Sequence, residues 1–179
     1  MKLQREPSAV PVPVDLETRV TDDDHQALKL WLRLLACTTR VESEIRSRLR
    51  RDFGISLARF DLMAQLDRDP EGLKMGELSR RMMVSGGNVT GLTDELEKEG
   101  LVARLDDPAD RRAYTVKLTA EGRSRFRRMA EVHERWVIEL FDGLTGAEKA
   151  QTYRLLAKLR EHLAAADPPA AAPRRRPHG

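Results

Sequence analysis

The chain has 179 residues, which is enough for a domain with a buried core. Charged residues make up 34% of it and aromatic residues 4%, a composition that favours exposed helices over a β-sandwich. The single cysteine excludes an internal disulfide framework, and a formal net charge of only +3 does not by itself indicate a nucleic-acid binder. Residues 54–119 carry 10 Lys and Arg against 12 Asp and Glu, which argues against non-specific coating of DNA. No apolar run approaches the ~18 residues of a membrane span, and the first residues lack the apolar stretch of a signal peptide, so we expect a cytoplasmic protein.

The N-terminal region predicts an arm followed by a long helix. Residues 1–20 contain three prolines and no sustained periodicity, so we expect a flexible arm, with an extended segment that packs across a partner as the alternative. A helix is predicted over residues 21–53, because Thr21 is a suitable N-cap, acidic residues follow it, and Gly54 ends the pattern. Its apolar positions recur at helical spacing: Leu28, Trp31, Leu32, Leu35, Ile45 and Leu49. A helix this long is expected to need a partner outside its own small domain.

Residues 54–119 begin with one predicted capped helix, which is followed by two short helices joined by a turn. Ser56 can cap the initial helix, whose predicted inward residues are Leu57, Phe60, Met63 and Ala64. Leu78 and Met82 then share one helical face. The predicted inward face of the following helix is formed by Val89, Leu92 and Leu96. Ser85 is its predicted N-cap, with the hydroxyl accepting a first-turn N–H, and Gly100 its predicted end. Two helices joined by a tight turn form a helix-turn-helix.

A charged hairpin is predicted directly after this motif. Short strands are expected over 101–105 and 114–118, joined by a tip at 106–112 that carries Arg111 and Arg112. Such a hairpin beside a helix-turn-helix is a wing.

The wing pattern D-x-R-x-x-x-V-x-L-T is formed by Asp110, Arg112, Val116, Leu118 and Thr119. Following a helix-turn-helix, it resembles the MarR family of winged-helix transcription regulators, over roughly residues 25 to 165. The resemblance implies a mainly α fold, a winged helix-turn-helix with long N- and C-terminal dimerisation helices. It also implies a homodimeric repressor, released from an inverted-repeat DNA operator by a small molecule, with no enzymatic activity and no cofactor.

The C-terminal region predicts two more helices over residues 120–166. Thr119 is expected to cap the first, and Thr145 with Glu148 forms a capping box for the second. Both carry apolar stripes. The family resemblance assigns these helices and the 21–53 helix to dimerisation, although a stripe alone does not say which chain covers it. The low-complexity tail, residues 167–179, is expected to be disordered.

Candidate DNA-reading residues lie where the second helix of the motif begins. In a helix-turn-helix this end enters the major groove. Asn88 can read adenine, and Thr90 can touch a thymine methyl or a phosphate. The first-turn N–H groups suit a phosphate oxygen. The candidates are Ser85, Gly86, Gly87, Asn88 and Thr90. The alternative is that S-G-G-N serves only as a turn. Many family members place a cation where this chain has Gly91.

Candidate cationic contacts lie on the wing and on the first helix of the motif. By the resemblance, Arg112 inserts into the minor groove and Asp110 holds it, with Arg111 beside it. Arg80 and Arg81 are phosphate candidates. The run at 123–128 is either a further phosphate contact or a solvated helix face, and the alternative for the wing is an ordinary solvated hairpin.

A candidate effector slot is framed by apolar and polar side chains from three predicted helices. The residues are Trp31, Leu35, Arg40, Phe60, Met63, His133 and Trp136. An aromatic carboxylate or its coenzyme A thioester would fit, and G-N-V-T-G at 87–91 resembles regulators of aromatic-acid breakdown. The alternative is that the tryptophans and His133 are core residues. Cys37 is expected to be packed rather than redox-active, and no residue cluster predicts a metal site.

The function predicted from the sequence is therefore a ligand-responsive transcription repressor. The alternative is an architectural or protein-tethering winged-helix protein that binds DNA without an inducer.

Overall fold

The structure, a computed structural model, describes residues 25–107 and 110–166. The helices are α1 (Gln26–Phe53), α2 (Leu57–Asp67), α3 (Met75–Met82), α4 (Gly86–Lys98), α5 (Ala120–Leu140) and α6 (Gly146–Ala166). The strands are β1 (Leu73–Lys74), β2 (Val102–Asp107) and β3 (Asp110–Leu118). The chain divides into two compact units, with the division between Glu134 and Arg135. The predicted arm, the predicted N-cap Thr21 and the predicted disordered tail lie outside the described residues.

Three of the predicted helix boundaries, at Gly54, Ser56 and Gly100, are confirmed because local backbone chemistry sets them. Gly54 ends α1 with φ 65°, a left-handed conformation that glycine adopts without a steric penalty. Ser56 caps α2, and its hydroxyl accepts a hydrogen bond from the Arg59 N–H at 3.3 Å. After α4, the Gly100 N–H donates to the Glu97 carbonyl and the Leu101 N–H to the Leu96 carbonyl, both at 2.9 Å.

The predicted caps of the last two helices are confirmed as well. The Thr119 hydroxyl accepts the Gly122 N–H at 2.9 Å at the start of α5. At the start of α6, the Glu148 carboxylate accepts the Thr145 N–H at 2.7 Å, and the Thr145 hydroxyl accepts the Glu148 N–H at 3.3 Å. Thr119 also donates to the Gly100 carbonyl at 2.7 Å, so one side chain joins the end of α4 to the start of α5.

A three-stranded antiparallel sheet supports the wing, in the order β1-β3-β2. The prediction missed β1, which pairs Leu73 with Val116. It also made the strands too short, because the β2–β3 ladder continues to the pair Asp107 and Asp110. Ladder hydrogen bonds use the backbone, so a run of charged residues can extend a pair of strands. Residues 106, 107 and 110–112, predicted as a tip, therefore belong to strands.

The core of the first unit shows two further differences from the predicted inward faces. On α2, Leu62 and Leu66 are fully buried along with Met63, whereas Leu57 is only half-buried. On α4, the fully buried residues are Val89, Thr93 and Leu96, and Leu92 is half-buried. Thr93 tolerates burial because its hydroxyl donates to the Val89 carbonyl at 2.8 Å. A prediction based on apolar residues alone therefore misses a buried threonine whose hydroxyl is hydrogen-bonded.

Both units leave large apolar side chains in contact with solvent. In the first unit these are Met83, Leu105 and, on α1, Leu28, Leu30, Trp31 and Leu35. In the second unit they are Ile138, Phe141, Leu144, Tyr153, Leu155, Leu156, Leu159 and Leu163. None of the helices within the described residues is both long and apolar enough to cross a membrane.

Candidate nucleic-acid interface

The N-terminal end of α4 is open to solvent and carries almost no side-chain bulk. Gly86, Gly87, Asn88 and Thr90 are exposed, while Val89 between them is fully buried and anchors the helix. The structure therefore places the predicted reading residues together on one outward surface. Because glycine has no Cβ, Gly86 and Gly87 leave the backbone N–H groups accessible to a closely approaching group.

Ser85 occupies the N-cap position with extended backbone, φ −65° and ψ 151°, as predicted. The predicted capping bond is wrong, however, because the Ser85 side chain makes no capping hydrogen bond within the described structure. Helix-terminal N–H groups can be satisfied by water or a ligand as well as by a side chain. The first turn of α4 is therefore not blocked by its own N-cap residue.

Thr90 has its hydroxyl engaged within its own helix. The Thr90 hydroxyl donates to the Gly86 carbonyl at 3.0 Å. A phosphate oxygen accepts hydrogen bonds, so a phosphate contact would compete for the same proton. Of the two roles predicted for Thr90, methyl contact is the one that this geometry leaves unopposed.

The two arginines of α3 differ in how firmly they are held. Arg81 donates to the Glu77 carboxylate at 2.8 Å and also pairs with Asp69, and its side chain is 34% exposed. Arg80 pairs with Glu77, and its side chain is 77% exposed. Arg80 is therefore the more available cation, a distinction that the sequence did not indicate.

The C-terminal half of α4 is joined to the wing by Arg104. This arginine on β2 pairs with Asp94 and, at 2.9 Å, with Glu97. Its guanidinium carbon also lies 4.9 Å from the centroid of the Tyr114 ring on β3. Hydrogen bonding to Asp94 raises the pKa of Arg104 above its ordinary value. Sequence reasoning missed this residue, because its partners on α4 are ten and seven positions away.

A second arginine, from a helix that precedes α4 in the chain, also pairs with acidic residues at the C-terminal end of α4. Arg59 on α2 pairs with Glu99 at 2.5 Å and lies 3.8 Å from Glu95. Arg125 on α5 reaches the same Glu99 at 3.7 Å. Ion pairs with arginines thus hold the acidic C-terminal half of α4, while the N-terminal end of the helix is exposed to solvent.

The predicted wing residues have their backbone in β3. Asp110, Arg111 and Arg112 begin the strand, and Asp110 pairs with Asp107 in the ladder. Their side chains lie outside the described part, so insertion of Arg112 into a groove and its pairing with Asp110 stay predictions.

The cationic run at 123–128 is largely engaged with neighbouring acids. Arg123 lies 3.5 Å from Asp67, and Arg128 lies 3.9 Å from Glu121. Together with the Arg125 pair, these contacts favour the solvated-face interpretation over a further phosphate contact.

The predicted effector residues are only partly brought together. The rings of Phe60 and His133 are in contact, with centroids 4.9 Å apart, and Phe126 lies 5.4 Å from Phe60. Met63 is fully buried, so it lines no accessible surface in this conformation. Burial lowers the pKa of His133.

The α1 members of the predicted slot are open to solvent. Trp31 is 58% exposed, and Leu35 and Arg40 are exposed as well. Trp136 is buried and belongs to the second unit. The predicted packing of Cys37 is wrong for the single chain, because Cys37 is exposed. It lies in a stretch of α1 where residues 35–40 are all exposed. Among the described residues, no group of three or more His, Cys, Asp or Glu could hold a metal ion.

Comparisons with known proteins agree with this architecture. The MarR family model matches residues 53–113. A MarR family transcriptional regulator from Silicibacter pomeroyi is 33% identical, with 80% of this chain and 99% of that chain covered and a TM-score of 0.68. Sco3205, a MarR family transcriptional regulator from Streptomyces coelicolor solved in complex with DNA, is 27% identical. The match covers 87% of this chain and 94% of Sco3205, with a TM-score of 0.71.

Among sequence relatives, the HTH-type transcriptional repressor YetL of Bacillus subtilis is 30% identical over 111 residues, which cover 62% of this chain and 66% of YetL. The similar proteins are transcriptional regulators and not enzymes. They confirm the predicted mainly α winged-helix fold. The chain belongs to the MarR family of transcriptional regulators.

Proposed function

We propose that the chain is a homodimeric repressor that recognises a specific operator with the N-terminal half of α4. The observation that carries this proposal is the exposed, glycine-fronted start of α4, held in place by a buried Val89 and by arginines at its other end. In this proposal residues 54–119 bind DNA, and residues 21–53 and 120–166 form the dimer.

The reading residues have distinct proposed roles. Asn88 presents an amide to the edge of adenine, and the Thr90 methyl meets a thymine methyl. The first-turn N–H groups and Ser85 receive a phosphate, with Arg80 as the more available cation of α3 and Arg81 as a weaker second contact. Arg112 enters the minor groove beside the reading helix, supported by Asp110 and Arg111.

Electrostatics favour recognition over non-specific attachment. Residues 54–119 carry 10 Lys and Arg against 12 Asp and Glu, a net charge of −2. Arg59, Arg81 and Arg104 are engaged in ion pairs, which reduces the number of cations available for phosphates. A protein of this kind depends on well-placed contacts rather than on bulk charge.

Dimerisation is supported by the exposed apolar side chains of α1, α5 and α6. Monomeric proteins rarely expose extended apolar surface, and such surface marks an interface. A two-fold dimer presents two reading helices, so we expect an inverted-repeat operator with half-site centres about 10 bp apart.

A small-molecule effector completes the proposal. We propose an aromatic carboxylate or its coenzyme A thioester, received beside Phe60 and His133 with Trp31, Leu35 and Arg40 of α1 contributing. Release from DNA requires that the ligand bind one dimer geometry better than the other. Calorimetry with hydroxybenzoates, hydroxycinnamates and their thioesters tests this part, and the absence of binding below about a millimolar would contradict it.

Operator recognition is tested by selecting binding sites from random double-stranded DNA and then footprinting them. We expect one enriched inverted repeat, bound by two chains. The architectural alternative predicts little preference between selected and random DNA. An Asn88→Ala variant should relax the preference at one base position in each half-site, at a cost of roughly 1–3 kcal/mol.

The wing is tested with Arg112→Ala. We expect operator affinity to fall by about one to two decades, since a groove charge contact is worth roughly 1–3 kcal/mol, while the thermal melt stays nearly unchanged. Arg68→Ala, which removes an exposed arginine after α2, is the matched control and should bind normally. Unchanged affinity of Arg112→Ala in a gel shift would remove the wing from the interface.

A further inference from the structure

The turn between α3 and α4 holds a methionine in a conformation that glycine favours. Met83 has φ 54° and ψ 37°, and it is the one residue other than glycine with positive φ in the described chain. A side chain in this left-handed region costs free energy that glycine would avoid. The turn is nevertheless fixed, because the Ser79 hydroxyl donates to the Val84 carbonyl at 2.6 Å and the Met83 N–H donates to the Arg80 carbonyl at 3.2 Å.

Met83 gains nothing from packing to offset this cost. Its side chain is 90% exposed, so an apolar thioether projects into solvent at the turn. Both the backbone conformation and the exposure of Met83 are unfavourable for the free chain. A residue that is unfavourable for folding on two counts points to a contact that the free chain does not contain.

The surroundings of Met83 indicate what that contact is. A groove of about 540 Å³ lies between α3 and α4. Its lining includes Met75, Arg80, Met83, Gly86 and Thr90. It therefore combines apolar thioethers with an exposed cation and the open start of the reading helix. A sugar-phosphate strand has the same alternation, an apolar deoxyribose face next to an anionic phosphate.

We infer that Met83 is a DNA-contact residue that packs against a deoxyribose of one operator strand. The adjoining phosphate meets Arg80 and the first N–H groups of α4. This inference rests on the proposed function, since it places a further contact in the same interface. It assigns to the turn an apolar contribution to affinity that the cationic and polar contacts do not supply.

The test measures operator affinity and thermal stability of the same variants. Met83→Gly relieves the backbone conformation, so its melting temperature should rise, yet operator affinity should fall by about ten-fold because the apolar contact is lost. Met83→Leu keeps an apolar side chain of similar size and should bind within about two-fold of the unchanged protein. Opposite signs for stability and affinity separate a DNA contact from a structural role.

Salt dependence separates an apolar contact from an electrostatic one. The slope of log affinity against log salt should be unchanged in Met83→Gly, because no phosphate contact is lost. Arg80→Ala should reduce that slope by about 1. Met83→Gly binding as tightly as the unchanged protein, Met83→Leu losing as much affinity as Met83→Gly, or a reduced salt slope in Met83→Gly would each overturn the inference. An unchanged protein that shows no preference for selected DNA would instead overturn the proposed function, and this inference with it.

Discussion

His133 is the residue whose protonation the fold opposes most clearly. It lies half-buried with its ring against Phe60, and burial lowers its pKa below the ordinary value of 6.5. The folded state therefore binds the proton more weakly than the unfolded state. The contribution of neutral His133 to the free energy of unfolding is fully present above the pKa that the histidine has in the unfolded chain. It is lost as the pH falls through the lower pKa of the folded state.

We predict that acidification below about pH 6.5 lowers the melting temperature through His133. His133→Phe keeps an aromatic ring against Phe60 and cannot be protonated, so the loss of stability between pH 7.5 and pH 5 should be smaller than in the unchanged protein. His25→Gln, at an exposed position before α1, is the control and should retain the full dependence. Identical pH profiles for all three proteins would contradict the assignment.

Residue-scale features were predictable where their cause is local. Gly54, Ser56 and Thr119 act on backbone groups within a few positions, and each boundary they predict is confirmed. The burial of Thr93 and the left-handed Met83 were not predicted. Each depends on a neighbouring helix or on a fixed turn, and the residue type gives no sign of either.

At the scale of elements, α4 is held at one end and free at the other. Arg104 joins it to β2 and β3 through Asp94, Glu97 and the ring of Tyr114. The orientation of the reading helix and that of the wing are therefore set together. Periodicity could not predict this coupling, because the sequence offers many acidic residues with which an arginine on a short strand could pair.

We predict that Arg104→Met weakens operator binding without removing any direct DNA contact. Methionine keeps an apolar stem but loses both ion pairs, which at a partly exposed site are worth up to about 1 kcal/mol. In a double-mutant cycle, Arg104→Met combined with Asp94→Asn should cost less stability than the sum of the two single changes. Additive losses in thermal unfolding would show that the pair does not act as a unit. Lys98→Met, on the exposed side of the same helix, is the control for charge removal.

At the scale of the whole molecule, the proposed dimer would use the exposed apolar side chains of α6. We predict that Leu156→Glu with Leu163→Glu converts the protein to a monomer in analytical ultracentrifugation, because the substitutions bury charge in an apolar interface. Operator affinity should fall at the same time, since one reading helix is lost from each complex. Gln151→Glu adds one charge at an exposed polar position of α6 and should leave the dimer intact. A double variant that sediments as a dimer would contradict the assignment of α6.

The ion pairs that engage Arg59, Arg81 and Arg104 have a consequence for how the protein finds its site. Sliding along DNA depends on sequence-independent attraction to phosphates. Because these arginines are already paired with acidic residues and residues 54–119 carry a net charge of −2, that attraction is weak. We expect the protein to search mainly by repeated collision from solution, with little of it stored on random chromosomal DNA. A small number of molecules would then suffice to occupy the operator, because few would be lost to competing sites.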